Sequence, residues 1–325
     1  MPPRISFKPY RRPFASPLQT AESTWRIREG FILRYEVDTH VGYGEVAPIP
    51  SFGTETIEQA ASVLKALQED PELPITDSHP CCAFALSTAR SSMRPAERDY
   101  AVAALLPAGP AAVGVAVEKV AQGFHTLKWK VGVEPLAQEQ ATFRLLALNT
   151  PKNVRVRLDA NASWTPPILR QWMDFLQPFR ERIEFVEQPL PLGQEACMAA
   201  MVKELGVAIA LDESLNGSSG AKWLQEWQGP LVVKPALMGD FAVLVSRLQP
   251  IAAQVVFSSV FETGVGLSAA LRMADALPGM GRAIGFDTLN FTDNLSQRKQ
   301  SAWITKQQRT GISPDQIWID LPHLT

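Results

Sequence analysis

The ionisable residues of this 325-residue chain gather at the ends of short apolar runs, one run after another. One run carries Lys128-Trp129-Lys130, and the next reads Arg157-Leu158-Asp159-Ala160-Asn161. Then follow Glu184-Phe185-Val186-Glu187-Gln188-Pro189, Asp212-Glu213-Ser214 and Val232-Val233-Lys234-Pro235. In a strand, side chains alternate between faces, so Lys128 and Lys130 share one face, as do Arg157, Asp159 and Asn161. Asp159, Glu187 and Asp212 come from consecutive runs, and three converging anions repel strongly unless a cation sits among them. Hard oxygen donors without a neighbouring His or Cys favour magnesium over zinc or copper. Beside such an ion the ammonium pKa of Lys130 and Lys234 should fall, as a lysine base requires. The chemistry this predicts is proton abstraction next to a carboxylate, with the metal holding the developing enediolate.

Such a constellation needs a scaffold that aims successive strand ends at one volume. Strand-like runs fall at 101–106, 126–131, 154–160, 183–187, 207–211, 231–234, 255–259 and 283–286. Helical stretches such as 136–148 and 167–179 lie between them. Strand-then-helix units imply parallel strands joined by right-handed crossovers, and eight of them imply a closed barrel with its chemistry at the C-terminal mouth. A doubly wound sheet is the alternative, but no GxGxxG turn follows the first strand. The predicted architecture is an α/β modified TIM barrel, (β/α)7β-like, spanning 96–290. Residues 1–95 form an α+β cap, with a hairpin over 31–46, a Pro/Gly loop over 47–53, a helix opened by Thr56 and a second helix over 82–94. Residues 291–325 return to the barrel or the cap.

Composition narrows the function classes. With 31 basic and 33 acidic side chains the formal net charge is −2, which lacks the excess that nucleic-acid backbones demand. At 46% hydrophobic and 20% charged the chain has the make-up of a folded globular protein, not a disordered one. No secretory signal or membrane-length apolar run is read in it, and the three cysteines, two of them adjacent as Cys81-Cys82, suit a reducing compartment. A cytoplasmic enzyme acting on a small carboxylate, without membrane or nucleic acid and as a monomer or small homo-oligomer, is the expectation.

The ordered set Lys-x-Lys, Asp-x-Asn, Glu, Asp-Glu-Ser and a final Lys resembles the enolase superfamily, within its muconate-lactonizing-enzyme subgroup. The finer resemblance is to the o-succinylbenzoate synthase family. It rests on the segments 44–52, 157–161, 187–190 and 285–289, and covers essentially the whole chain. The resemblance implies Mg²⁺, with Mn²⁺ as a substitute, held by Asp159, Glu187 and Asp212. It implies that Lys130 removes the proton alpha to a ring carboxylate and then protonates the departing hydroxide on the same face. Lys234 would stabilise the enediolate from the opposite face, and Lys128 would tune Lys130 through its charge. Substrate contacts are expected from Ser258, Ser259, Asn161, Arg157, Gly264 and Ser51, with Glu262 near the succinyl side chain. Arg26 or Arg28 would cover the mouth from the cap. The bulky Val260 and Phe261 depart from the small-residue run of that family.

Competing readings are plain ones. A single Asp at a strand end is commonly a helix N-cap, and Asp212 alone would be read so. Trp164, Trp172, Trp223 and Trp227 read as core. Between His125 and His323 there is no histidine, which excludes the branch of the superfamily that uses a His-Asp base. N-acylamino acid racemase, dipeptide epimerase and muconate lactonizing enzyme keep the paired lysines; the dipeptide epimerases usually carry Asp-x-Asp on the last strand, where this chain has Asp287-Thr288-Leu289. A non-catalytic metal-binding barrel would be expected to show gaps in the ionisable set, and none is seen.

Overall fold

The computed structural model describes residues 2–19, 24–93, 98–217, 220–288, 291–296, 299–311 and 313–322. The expected boundaries at 95/96 and 290/291, the helix end at Arg94, Leu289 of the last-strand segment and His323 lie outside them.

The N-terminal unit is a three-stranded antiparallel sheet in the order β1 (Arg4–Gln19), β2 (Thr24–Val37), β3 (His40–Val46). The hairpin of β2 and β3 matches expectation, whereas β1 was not anticipated. Its Pro9 and Pro13 and its run of charges hide the pattern. They are tolerated because β1 is an edge strand of its sheet, its outer side met among the described residues by a single-residue pairing of Phe14 with Phe291. Helix α1 (Ile57–Glu69) starts at Thr56 with a reciprocal capping box to Gln59. Helix α2 (Pro80–Arg90) lies directly on β3: a methyl added to Gly44 would sit 1.9 Å from the Ala85 carbonyl oxygen, so only glycine permits the approach.

The barrel follows. A parallel sheet runs β5 (Ala104–Leu106), β6 (Thr126–Lys130), β7 (Arg155–Asp159), β8 (Ile183–Glu187), β9 (Ile209–Ala210). Single-residue parallel pairings continue the circuit: Leu211 with Leu231 leads to β10 (Leu231–Val233), which pairs with β11 (Val255–Phe257). Ser258 with Gly285 and Ile284 with Val102 then close it at the eighth strand position. Helices α3 (Ala112–Ala121), α4 (Leu136–Asn149), α5 (Pro166–Leu176), α6 (Glu195–Leu205), α7 (Gly220–Glu226), α8 (Phe241–Leu248) and α9 (Gly264–Asp275) alternate with the strands. Trp164 and Trp172 stack at 5.3 Å in the core, as expected of them.

Past residue 291 the chain returns to both units. Strand β12 (Trp303–Ile304) pairs antiparallel with β4 (Tyr100–Ala101) at the barrel's start, and α10 (Lys306–Thr310) follows it. Helix α11 (Pro314–Asp320) seats Ile317 against Tyr10, Ile32, Tyr43 and Val265. Lys8 of the cap donates to the Trp318 and Leu321 carbonyls at 2.8 Å each. Among the described residues no helix is long and apolar enough to cross a membrane.

Candidate active site

Strand periodicity builds the site in layers. Phe185, Ala210, Val232 and Val256 form an apolar plug inside the barrel, one residue from each of four successive strands. Arg157 joins this layer with its guanidinium 4.9 Å from the Phe185 ring. Two residues further along each strand, the next inward positions are Asp159, Glu187, Asp212, Lys234 and Ser258, with Lys130 in register beside Asp159. Apolar residues close the floor, and ionisable ones form the ring above it at the strands' C-terminal ends.

The structure brings most of the expected residues together. Asp159, Glu187 and Asp212 are 8, 1 and 4% exposed. Lys128 Nζ lies 2.9 Å from Asp159 Oδ2 and 2.7 Å from Glu187 Oε1, so two carboxylates share one cation. Lys234 Nζ donates to Asp212 and sits 4.7 Å above the Phe52 ring. Lys130 is half-buried and, by alternation, faces with Lys128 away from the buried Trp129. Asn161, in a left-handed conformation, donates to Glu213 Oε1 at 3.3 Å. The loop around Ser51 does reach the mouth, but through Phe52; Ser51 itself is exposed.

Charge density decides the protonation behaviour. Burial pushes Glu187 up to about 8, and the Asp159 charge adds to the rise while Lys128 opposes it. Glu213 is pushed up to about 7 by burial and then by Asp212. Burial alone would lower the Lys128 pKa, but Asp159, Glu187 and Asp212 outweigh it and hold the ammonium well above the ordinary lysine range.

The donor set suits a hard divalent cation: only oxygen acids, deeply buried, with acceptors in excess of donors. Glu213 Oε2 is buried without a hydrogen-bond partner, a direct sign of that excess. As the side chains stand, no group of three or more His, Cys, Asp or Glu among the described residues closes round one point. Their rotamers answer the two ammonium groups instead, Asp159 and Glu187 turned to Lys128 and Asp212 to Lys234. Asp212 occupies an N-cap position but makes no side-chain cap bond, so the plain capping reading does not account for it. Its backbone N–H is instead fixed by Gln188 Oε1 at 3.0 Å.

Four expectations need correction. Arg157 does not reach the mouth: it is 1% exposed and bonded to Glu184 at 2.9 and 3.2 Å and to the Ala283 carbonyl at 2.8 Å, on the floor side of the plug. Gly264 is spent on the fold, its N–H donating to the Leu295 carbonyl at 2.7 Å. Ser259 is committed to the loop, donating to Glu262 at 2.7 Å and accepting from Thr288 and the Phe261 N–H. Arg28 is not a free cover of the mouth, because its guanidinium is buried on the carbonyls of Val260, Ala47, Pro48 and Glu29. For Arg157 and Gly264 the partner comes from a distant part of the chain, whereas Ser259 is held mainly by its own loop.

Sequence reasoning also missed Glu213 and Glu45. Glu213 sits in the middle of Asp-Glu-Ser, where a fourth acid beside the expected three is visible in the sequence. Glu45, 0% exposed, accepts from Tyr10 Oη at 2.7 Å and from the N–H groups of Thr263 and Gly266 at 2.9 Å. No local pattern could announce bonds that span more than two hundred residues.

Comparison with known proteins identifies the family. The family described as "Enolase C-terminal domain-like" matches residues 112–288, and "MenC, N-terminal domain" matches residues 5–93. The o-succinylbenzoate synthase of Thermosynechococcus vestitus is 34% identical over 287 residues, covering 84% of this chain and 88% of its own. The crystal structure of o-succinylbenzoate synthase from Thermosynechococcus elongatus, complexed with magnesium in its active site, superposes with a TM-score of 0.84 at 30% identity, over 98% of this chain and all of that one. The L-Ala-D/L-Glu epimerase of Bacillus subtilis superposes at 0.76 but is 20% identical over 93% of this chain and 95% of its own, a likeness of fold. With both halves of the chain matched and the ring of acids and lysines at the mouth, the chain belongs to the o-succinylbenzoate synthase family of the enolase superfamily.

Proposed function

We infer that this chain is an o-succinylbenzoate synthase, a carbon–oxygen lyase. It catalyses the syn dehydration of 2-succinyl-6-hydroxy-2,4-cyclohexadiene-1-carboxylate to 2-succinylbenzoate. The observation that carries proton abstraction beside a carboxylate is the paired arrangement at the mouth: Lys128 and Lys130 on β6, Lys234 beyond β10, and three buried carboxylates at the strand ends between. The relatives that bear this name match most of both chains.

Asp159, Glu187 and Asp212 would hold the magnesium ion, which when bound supplies positive charge against the anion that develops on the substrate carboxylate. Lys130 takes the proton alpha to that carboxylate and returns it to the departing hydroxide, both on one face of the ring. Lys128, kept charged by Asp159 and Glu187, places a fixed cation two residues from Lys130 on the same strand face. Lys234, oriented by Asp212 and the Phe52 ring, puts its charge on the opposite face. Asn161 and Ser258 would contribute polar groups from their strand ends, above the apolar plug. The work is that of a cytoplasmic enzyme on a small carboxylate, with no nucleic acid or membrane involved, as a monomer or small homo-oligomer, in the making of menaquinone or phylloquinone.

The dipeptide epimerase reading needs an acidic partner for a substrate ammonium on the last strand. Asp287 is 6% exposed and taken: Lys119 Nζ lies 2.5 Å from Oδ2, the Leu105 N–H 3.0 Å from Oδ2 and Gln300 2.7 Å from Oδ1. A site lacking that partner discriminates strongly against an ammonium substrate. Assaying the purified chain with the cyclohexadiene carboxylate and with N-acylamino acids decides the matter, since a higher kcat/KM for the amino acids reverses the assignment. Lys130→Ala should abolish dehydration while Mg²⁺ affinity stays close to that of the parent; undiminished turnover would remove Lys130 from the base role.

A further inference from the structure

The loop between β11 and α9, residues 258–263, is shaped by the N-terminal sheet rather than by the barrel that carries it. Arg28 Nε donates to the Val260 carbonyl at 3.0 Å. Arg12 Nη1 donates to the Glu262 carbonyl at 2.8 Å and the Phe261 carbonyl at 3.3 Å. Glu45 accepts from the Thr263 N–H at 2.9 and 3.0 Å, from Thr263 Oγ1 at 2.5 Å and from the Gly266 N–H at 2.9 Å. All three side chains are buried, at 0% exposure for Arg12 and Glu45 and 5% for Arg28. Three successive carbonyls thus face cap guanidinium groups, and the next N–H faces a cap carboxylate.

The loop does not hold this shape by preference. Phe261 has φ +64°, a left-handed conformation that a bulky side chain adopts only when its surroundings dictate it. Its ring is packed edge-on against Phe14 at 5.4 Å, with Trp25 and Phe291 also in contact. The bulk of Val260 and Phe261, a departure from the family's small-residue run, is therefore matched by aromatic and cationic partners from the cap and the C-terminal segment. Within the loop, Glu262 accepts from the Val260 N–H and from Ser259, which fixes the stretch immediately after Ser258.

We propose that Arg12, Arg28 and Glu45 are positioning residues for the dehydration: they act through the 258–263 loop to place Ser258 and the wall opposite β6 against the part of the substrate remote from the reacting carbon. Glu45 has a second effect. The N–H groups of Thr263 and Gly266 donate to it, that of Val265 donates to Thr263 Oγ1 and that of Gly264 to Leu295. The start of α9 has no donor left for a substrate carboxylate, and the remote carboxylate of the substrate must be met elsewhere on the wall. The proposal rests on the dehydratase reading above.

The test measures kcat and KM for the cyclohexadiene carboxylate, Mg²⁺ affinity by calorimetry and thermal midpoint in the full chain and in Glu45→Gln, Arg28→Lys and Tyr10→Phe. Glu45→Gln turns an amide NH₂ toward existing donors. It should raise KM tenfold or more with kcat within threefold and Mg²⁺ affinity within twofold. Arg28→Lys should move KM in the same direction. Tyr10→Phe removes one donor from Glu45 and should raise KM two- to threefold, and it decides the outcome with Arg28→Lys if Glu45→Gln fails to fold. A fall in thermal midpoint with KM unmoved, or an equal loss of Mg²⁺ affinity and substrate affinity, overturns the proposal. Absence of turnover in the parent chain counts instead against the dehydratase reading, so the two failures are told apart.

Discussion

Lys128→Met removes the one cation shared by two buried acids while keeping most of the side chain's volume. The Lys128 ammonium lies 2.7 Å from Glu187 and 2.9 Å from Asp159, with 15% of the side chain exposed. At an effective dielectric of about 20 each contact is worth roughly 6 kcal/mol of Coulomb attraction before desolvation is subtracted. Taking away one partner of a buried pair usually costs about 3–5 kcal/mol, because the remaining charge is left uncompensated. For a chain of 325 residues, with an unfolding entropy of about 2.1 cal/mol/K per residue, that is a fall in thermal midpoint of about 4–7 °C in the presence of a chelator. Saturating Mg²⁺ should recover more than half of the loss, since a divalent ion supplies the same acids with charge. Calorimetric melts of parent and variant, each with EDTA and with excess Mg²⁺, provide the four values needed. Equal midpoints in EDTA would refute the claim that the ammonium neutralises the acid cluster. A loss that Mg²⁺ leaves untouched would show that the acids do not share an ion.

Other perturbations separate site from scaffold. Phe52→Ala strips the ring from above Lys234, an interaction of about 0.5–2 kcal/mol, and should lower kcat/KM by about 2- to 30-fold with the thermal midpoint little moved; steady-state kinetics at saturating Mg²⁺ check it. Asp287→Asn breaks the pair with Lys119 and should destabilise the fold by about 3–5 kcal/mol in urea titrations, yet leave KM within twofold because the carboxylate faces α3 and not the mouth. Burial and Glu55 raise the thiol pKa of both Cys81 and Cys82, so at pH 8 iodoacetamide should label the half-buried Cys197 first, as mass spectrometry of the native protein would show.

What could be read from sequence was what local periodicity encodes. The β8 run Ile183–Glu187 places Phe185 and Glu187 two apart, and that spacing alone implies an apolar layer with an acid above it. The same two-residue step links Arg157 to Asp159, Ala210 to Asp212 and Val232 to Lys234, so the ring of ionisable residues was visible before any contact was known. Thr56 likewise announced a helix start, and the structure adds its reciprocal partner Gln59. What escaped were partners fixed by tertiary proximity. Nothing near Arg157 in sequence shows that Ala283 lies beneath it, and nothing near Gly264 points to Leu295. Strand β1 was hidden for a different reason: its prolines argue against a strand unless one knows that it lies at the sheet's edge.

The two kinds of residue divide by the energy each must offset. A charge at a strand end is put in place by alternation and is compensated by neighbours on adjacent strand ends, as Asp159 and Glu187 are by Lys128. A charge buried at 0% exposure, such as Arg12 or Glu45, is tolerated only if every donor or acceptor it carries is met. Arg12 meets that demand with Asp293, Ser296 and the Phe261 and Glu262 carbonyls, and it lies 3.6 Å over the Phe291 ring. Its partners belong to the barrel loop and the C-terminal segment, so cap, loop and tail must assemble together for any of them to be stable. The cost of burying these charges is thus offset by the same contacts that define one wall of the site. Substitutions at Arg12 should accordingly be felt at the mouth even though the guanidinium never faces it.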